Sequence, residues 1–173
     1  MCSSDLWSVV TRSFSNGFAV DPNGIYFVLT APGVTATSGF LTAYCGWHNY
    51  NVYNGVNVKY SFVGDAKGPS LGSCSVQTAG SPNNDPSVDA MISVLAHELE
   101  ETVSDPQLNA WYDSSGEENA DKCAWTFGTT YTVANGSQAN MALPTNGLPA
   151  NQRNFLIQRN WVNSGAGYCA VAF

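Results

Sequence analysis

Asp85-Pro86-Ser87-Val88-Asp89-Ala90-Met91-Ile92-Ser93-Val94-Leu95-Ala96-His97-Glu98-Leu99-Glu100-Glu101-Thr102-Val103-Ser104-Asp105-Pro106 carries both the punctuation of a helix and a pattern of chemistry. Asp85 suits a helix cap and Pro86 its first turn, while Asp105-Pro106 stops the helix, so the spacing predicts a helix over about 86–104. Val88, Met91, Ile92, Leu95, Leu99 and Val103 recur at helical spacing and are expected to form its buried stripe. His97 and Glu101 stand four residues apart, so both project from one face, about one turn apart. One ion can then take an imidazole nitrogen and a carboxylate oxygen together. Glu98, beside the first ligand, occupies the place where zinc proteases carry the base that deprotonates a water. The usual pattern is H-E-x-x-H, and here a glutamate replaces the second histidine. A histidine among glutamates on a wet helix face is ordinarily just solvated. Against that, Glu98, Glu100 and Glu101 crowd the C-terminal half, where the helix dipole disfavours anions, and no lysine or arginine is within two turns.

Outward from the helix, 173 residues make one domain with room for a real core. Only 11% of residues are charged, and Asn, Ser, Thr and Gly take up the surface role, a composition that suits an exported protein. A net charge of −7 argues against nucleic acid as a partner. No apolar run is long enough to span a membrane, so no membrane partner is expected. Ten of the thirteen acidic residues lie between Asp85 and Asp121, a segment without lysine or arginine, as a cation site requires. No C-x-x-C pair is present, which argues against a thiolate zinc cluster. Cys45–Cys74 and Cys123–Cys169 are the expected disulfides, although the spacing also permits other pairings. Cys2 is the odd cysteine. Cys2-Ser3-Ser4-Asp5-Leu6 reads as a translated sequencing adapter, so residues 1–6 are expected to be non-native, with a single domain over 7–173.

Before the helix, Asp21-Pro22-Asn23-Gly24 is a turn signal and residues 25–30 a β-rich run; residues 40–49 and 56–63 read as two further strands, with 51–55 a hairpin connection. Residues 67–84 read as loop, and 131–134, 155–162 and 168–173 as short strands. A third metal ligand is expected downstream of the helix. Glu118 and Asp121 are best placed, just past a turn that can fold the chain back; one of them could ligate while the other orients His97. Asp105 is a weaker candidate. His48, in Cys45-Gly46-Trp47-His48, could complete the site, though a strand histidine beside a disulfide is ordinarily structural. Trp47, Tyr50, Trp111, Tyr112 and Trp125 could line a groove. Arg153 or Arg159 could meet a substrate carbonyl or carboxylate, an ion pair being the ordinary role.

Tyr26-Phe27-Val28-Leu29-Thr30, Cys45-Gly46-Trp47-His48, Pro82-Asn83-Asn84-Asp85 with Val88-Asp89-Ala90-Met91-Ile92, and the strand from Arg153 to Ile157 resemble the EXORDIUM-like, or phosphate-induced, proteins, which are secreted and cell-wall-associated. The helix resembles a microbial branch of that family: H-E-L-x-E, then T/S-D-P, then E-x-x-D-x-C, here Glu118-Asn119-Ala120-Asp121-Lys122-Cys123. That version is similar to a zincin-type metalloprotease with H-E-x-x-E. The plant members lack the His-Glu pair, so their growth role does not carry over.

The expectation is therefore a secreted α+β protein: a zincin-like single domain with a mixed β-sheet, one central helix at about 86–104 bearing the active site, and a short-stranded C-terminal part. His97 and Glu101, with Glu118 or Asp121, are expected to hold zinc, and Glu98 to act as the base of an endopeptidase acting on a peptide or protein substrate. The competing expectation is a non-catalytic extracellular protein that binds glycan or cell wall and carries structural calcium.

Overall fold

The computed structural model describes residues 3–145 and 148–172. Cys2, and Phe173 at the end of the last expected strand, lie outside them. The centre is a mixed three-stranded sheet of β1 (Ile25–Leu29), β2 (Gly46–Tyr53) and β3 (Val56–Val63), in the order β1-β3-β2. β3 pairs in parallel with β1 and antiparallel with β2, the latter across a turn at Asn54-Gly55, where both residues have positive φ. Strand alternation sends Trp47, Tyr60 and Phe62 to one face and Gly46, His48 and Ser61 to the other.

The first face is covered by α1 (Ser3–Ser15), whose Leu6, Val10 and Phe14 repeat every four residues and pack with Val58, Tyr60, Phe62 and Phe40. Phe14 meets Tyr26 edge-on, with ring centroids 4.9 Å apart, and Trp7 lies 5.4 Å from Tyr60. This helix corrects the expectation of strands first and one helix. Leu6, within the stretch read as non-native, is packed in the core at 1% exposure.

The second face carries α2 (Pro86–Ser104), the helix expected from the sequence, capped by the Asp85 carboxylate, which accepts from the Val88 N–H. Its buried face is not the expected one. Ser87, Ala90, Ser93, Val94, Glu98, Glu101 and Thr102 are buried, whereas Val88, Leu99 and Val103 are 43%, 38% and 65% exposed. Small residues at the start of the helix let it lie close on β2 and β3, and this orientation carries the two glutamates inward, leaves Met91, Ile92 and Leu95 half-buried and turns Val88, Leu99 and Val103 out.

The remainder is a set of two-stranded ribbons: β4 (Tyr131–Thr132) with β5 (Gln138–Ala139), β6 (Met141–Thr145) with β7 (Leu148–Phe155), and β8 (Asn160–Val162) with β9 (Tyr168–Ala170). The strand expected over 155–162 is therefore broken into the end of β7 and β8. The one expected over 40–49 begins only at Gly46, because residues before it turn around Gly39 and Leu41, both at positive φ. Gln158 ties this part to the rest: its N–H donates to the Ser93 hydroxyl of α2, and its side-chain oxygen accepts from the Trp125 N–H. Both expected disulfides, Cys45–Cys74 and Cys123–Cys169, are formed. The architecture is mixed α/β, with two helices and small sheets.

Candidate metal centre

Between α2, the start of β2 and the segment from Glu118 to Trp125 lies a cleft of about 480 Å³. Its floor comes from three stretches far apart in sequence. α2 supplies His97, Glu98 and Glu101, strand β2 supplies His48, the 3₁₀ segment Asp121–Cys123 supplies Asp121, and the chain just before it supplies Glu118. Each is braced locally. Cys45, three residues before His48, is tied to Cys74, and Cys123, two after Asp121, is tied to Cys169. The Asp121 N–H also donates to Glu101 Oε1, fixing the turn against the helix.

His97 Nε2 lies 3.0 Å from Glu101 Oε1 and 3.3 Å from Asp121 Oδ1. On the other side of the same glutamate, His48 Nε2 lies 3.9 Å from Glu101 Oε2 and 3.1 Å from Glu118 Oε1. The downstream acids thus divide between the histidines: Asp121 faces His97, and Glu118 faces His48. Glu98 is 3% exposed, and its Oε2 has no hydrogen-bond partner. Among the described residues the neighbouring cation is committed elsewhere, since Lys122 Nζ pairs with Asp113 at 2.7 Å and sits over the Trp161 ring.

The electrostatics follow from this crowding. Burial pushes the Glu98 carboxyl up, and Glu101, Asp121 and Glu118 push the same way against the pull of His97. Burial would lower His97, but Asp121 and Glu101 outweigh it and raise the imidazole to about 10. A proton on His97 thus offsets part of the charge of these carboxylates.

The cleft needs Gly46. A Cβ there would stand 2.7 Å from Glu98 Oε1, 2.7 Å from Val94 Cγ1 and 2.8 Å from the Phe62 carbonyl. Neither Gly46 nor Gln158 stood out in the sequence, because close approach between segments leaves no local signal. His48, open in the sequence between completing the site and an ordinary strand role, lines the cleft. Of the five aromatics suggested for a groove, Trp47 and Trp125 line the cleft and Tyr50, Trp111 and Tyr112 do not. Asp105 belongs to neither donor group. It is fully buried, and its Oδ1 accepts from the Asn109 and Ala110 N–H groups, holding the turn after α2. Arg159 donates to Thr126 Oγ1 and the Cys169 carbonyl, a bracing role, and Arg153 is exposed on β7.

Leu41, Leu108 and Trp125 stand at the cleft with φ of 69°, 55° and 59°, the left-handed region that bulky side chains rarely adopt. The other two non-glycine residues with positive φ among those described are asparagines, which tolerate it. Backbone strain in bulky side chains is thus concentrated at the cleft.

Residues 3–171 match the family described as the phosphate-induced protein 1 conserved region. Protein EXORDIUM-like 3 of Arabidopsis thaliana is 32% identical over 186 residues, covering 94% of this chain and 53% of that protein. Protein EXORDIUM-like 5 of the same plant is 32% identical over 141 residues, covering 70% of this chain and 39% of that protein. The chain spans about half the length, or less, of these curated relatives. No solved structure matches it. The relatives and the disulfides are consistent with an extracellular protein, and no described helix is long and apolar enough to cross a membrane. With the family pattern running along nearly its whole length, the chain belongs to the phosphate-induced protein 1 family.

Proposed function

We propose that this chain is an extracellular binding domain built around a divalent cation, zinc by preference, held by His97, Glu101 and Asp121 on the floor of the cleft. The observation that carries this reading is the spacing of the donors. Zinc binds nitrogen and oxygen at about 2.0–2.1 Å, which puts neighbouring ligands of a tetrahedron about 3.3 Å apart. His97 Nε2 is 3.0 and 3.3 Å from its two carboxylate neighbours. An imidazole among the donors favours zinc over calcium, which prefers oxygen throughout. Three protein ligands leave a position open to a polar group of an extracellular ligand, with Trp125 and Leu108 beside it to cover an apolar part.

A second reading, metal-dependent peptide hydrolysis in a zincin-type arrangement, is favoured by Glu98 alone. Its carboxylate is buried beside the same donors, keeps one oxygen unpaired, and is held above the usual carboxylate range by that burial. Glu98 would take a proton from the attacking water and return it to the leaving amine; a cation held by His97, Glu101 and Asp121 would supply Lewis-acid polarisation.

Protein stripped with a chelator and dialysed against zinc should retain at least one ion per chain, and His97→Ala should retain one fewer. Retention of calcium but not zinc in parallel dialyses overturns the choice of zinc, and retention of no ion overturns the metal reading. For the second reading, the zinc-loaded protein should cleave casein and Glu98→Gln should not, while still holding zinc. No cleavage by the wild type removes hydrolysis and leaves the binding role.

A further inference from the structure

Resting on the metal reading above, we infer that the cleft holds a second divalent cation on His48, Glu101 and Glu118, joined to the first through the two oxygens of Glu101. The donors fall into two sets, His97, Glu101 and Asp121, and His48, Glu101 and Glu118, within each of which the donor atoms lie within 4.8 Å of one another. Glu101 is the one residue common to both, and the two imidazoles belong to different sets. An ion on His97 therefore leaves His48, Glu118 and the far oxygen of Glu101 as a second donor set.

The orientation of Glu101 points the same way. The side chain is nearly enclosed, turning Oε1 to His97 at 3.0 Å and Oε2 toward His48 at 3.9 Å. One oxygen on each side is the geometry of a bridging carboxylate, which in two-metal sites holds ions about 3.5–4 Å apart. In the second set His48 Nε2 is 3.1 and 3.4 Å from the two oxygens of Glu118, again close to the edge of a zinc tetrahedron. His48 and Glu101 are 7% and 4% exposed, so the set is built into the fold and is not a surface accumulation of acid.

Charge gives an independent argument. Glu98, Glu101, Glu118 and Asp121 share one floor, with the nearby Lys122 paired to Asp113. One divalent ion balances two of these four carboxylates, and a second balances the rest. Glu98, buried and with Oε2 unpartnered, lines the same cleft.

The test is ion stoichiometry on the whole chain. Equilibrium dialysis against zinc followed by elemental analysis should give two ions per chain. His48→Ala and Glu118→Gln should each bring the count to one, as should Asp121→Asn from the other side, and Glu101→Gln should lower it below one. A measurement on the unaltered protein guards against variants that fail to fold. Loaded with manganese, it should give the exchange-coupled electron paramagnetic resonance spectrum of two ions a few ångströms apart. One ion per chain with an isolated six-line manganese signal overturns the second site and leaves the first standing. No bound ion overturns both.

Discussion

Gly46→Ala tests the claim that α2, β2 and β3 meet without slack at the floor of the cleft. The added methyl carbon would stand 2.7 Å from Val94 Cγ1, 2.7 Å from Glu98 Oε1 and 2.8 Å from the Phe62 carbonyl oxygen, all well inside van der Waals contact. The last of these is backbone in the central strand and has nowhere to move, so relief must come from Val94 and Glu98, both buried. Overpacking of a closed site costs about 1–3 kcal/mol, and the immovable carbonyl puts this one near the upper end. For a domain of 173 residues each kcal/mol shifts Tm by about 2–4 °C, so a loss of about 4–12 °C is expected. Gly72→Ala is the control, because its nearest neighbour would be Thr78 Cγ2 at 3.9 Å and its φ is ordinary; it should be neutral or gain up to about 1 kcal/mol. Urea denaturation of the two variants reads both values. If Gly46→Ala costs less than about 0.5 kcal/mol, the packing described here is mistaken.

Leu6→Ala should cost about 2–5 kcal/mol by urea denaturation, as for any large aliphatic side chain removed from a closed core; a neutral result would detach α1 from the domain. Replacing Cys45 and Cys74 together by serine opens a loop of 29 residues and should cost about 3–4 kcal/mol on the chain-entropy estimate, with zinc retention at the His48 set weakened; unchanged stability would refute the bracing role. With chelator present, stability should fall as pH rises from about 6.5 toward 10. The His97 pKa is raised in the folded protein, so its contribution is complete below the unfolded value and lost as pH climbs through the folded one; Glu98, also raised, acts in the same direction. Thermal melts at pH 6.5, 8 and 9.5 check this, and a flat or rising profile contradicts it.

How legible the molecule was depended on whether a signal was local. Asp85-Pro86 and Asp105-Pro106 act on their own helix termini, and α2 runs from Pro86 to Ser104 as their punctuation implies. Val56–Val63 likewise needed only β-forming residues bounded by a turn. Which face of α2 turns inward was not local. Ser87, Ala90 and Ser93 look weaker than Leu99 and Val103 by hydrophobicity, yet their small size permits close packing on the sheet, and Val88, Leu99 and Val103 are left exposed while Met91, Ile92 and Leu95 are half-buried. α1 was missed because Ser3–Ser15 mixes polar residues among Leu6, Val10 and Phe14, so its pattern is sparse until a sheet is there to receive it. The His97–Glu101 pair was readable because both sit on one helix. The place of His48, 49 residues before His97, depends on strand alternation and on the antiparallel pairing with Ser61, and no spacing in the sequence encodes that.

The central claim is that an ion belongs between His97, Glu101 and Asp121. Anomalous diffraction at the zinc absorption edge, from crystals of zinc-loaded protein, tests it most directly. The account predicts a peak about 2.0–2.2 Å from His97 Nε2 and from an oxygen of each of the two acids. Crystals grown with zinc that show no anomalous peak in the cleft, with His97 still turned to the two carboxylates, would contradict it.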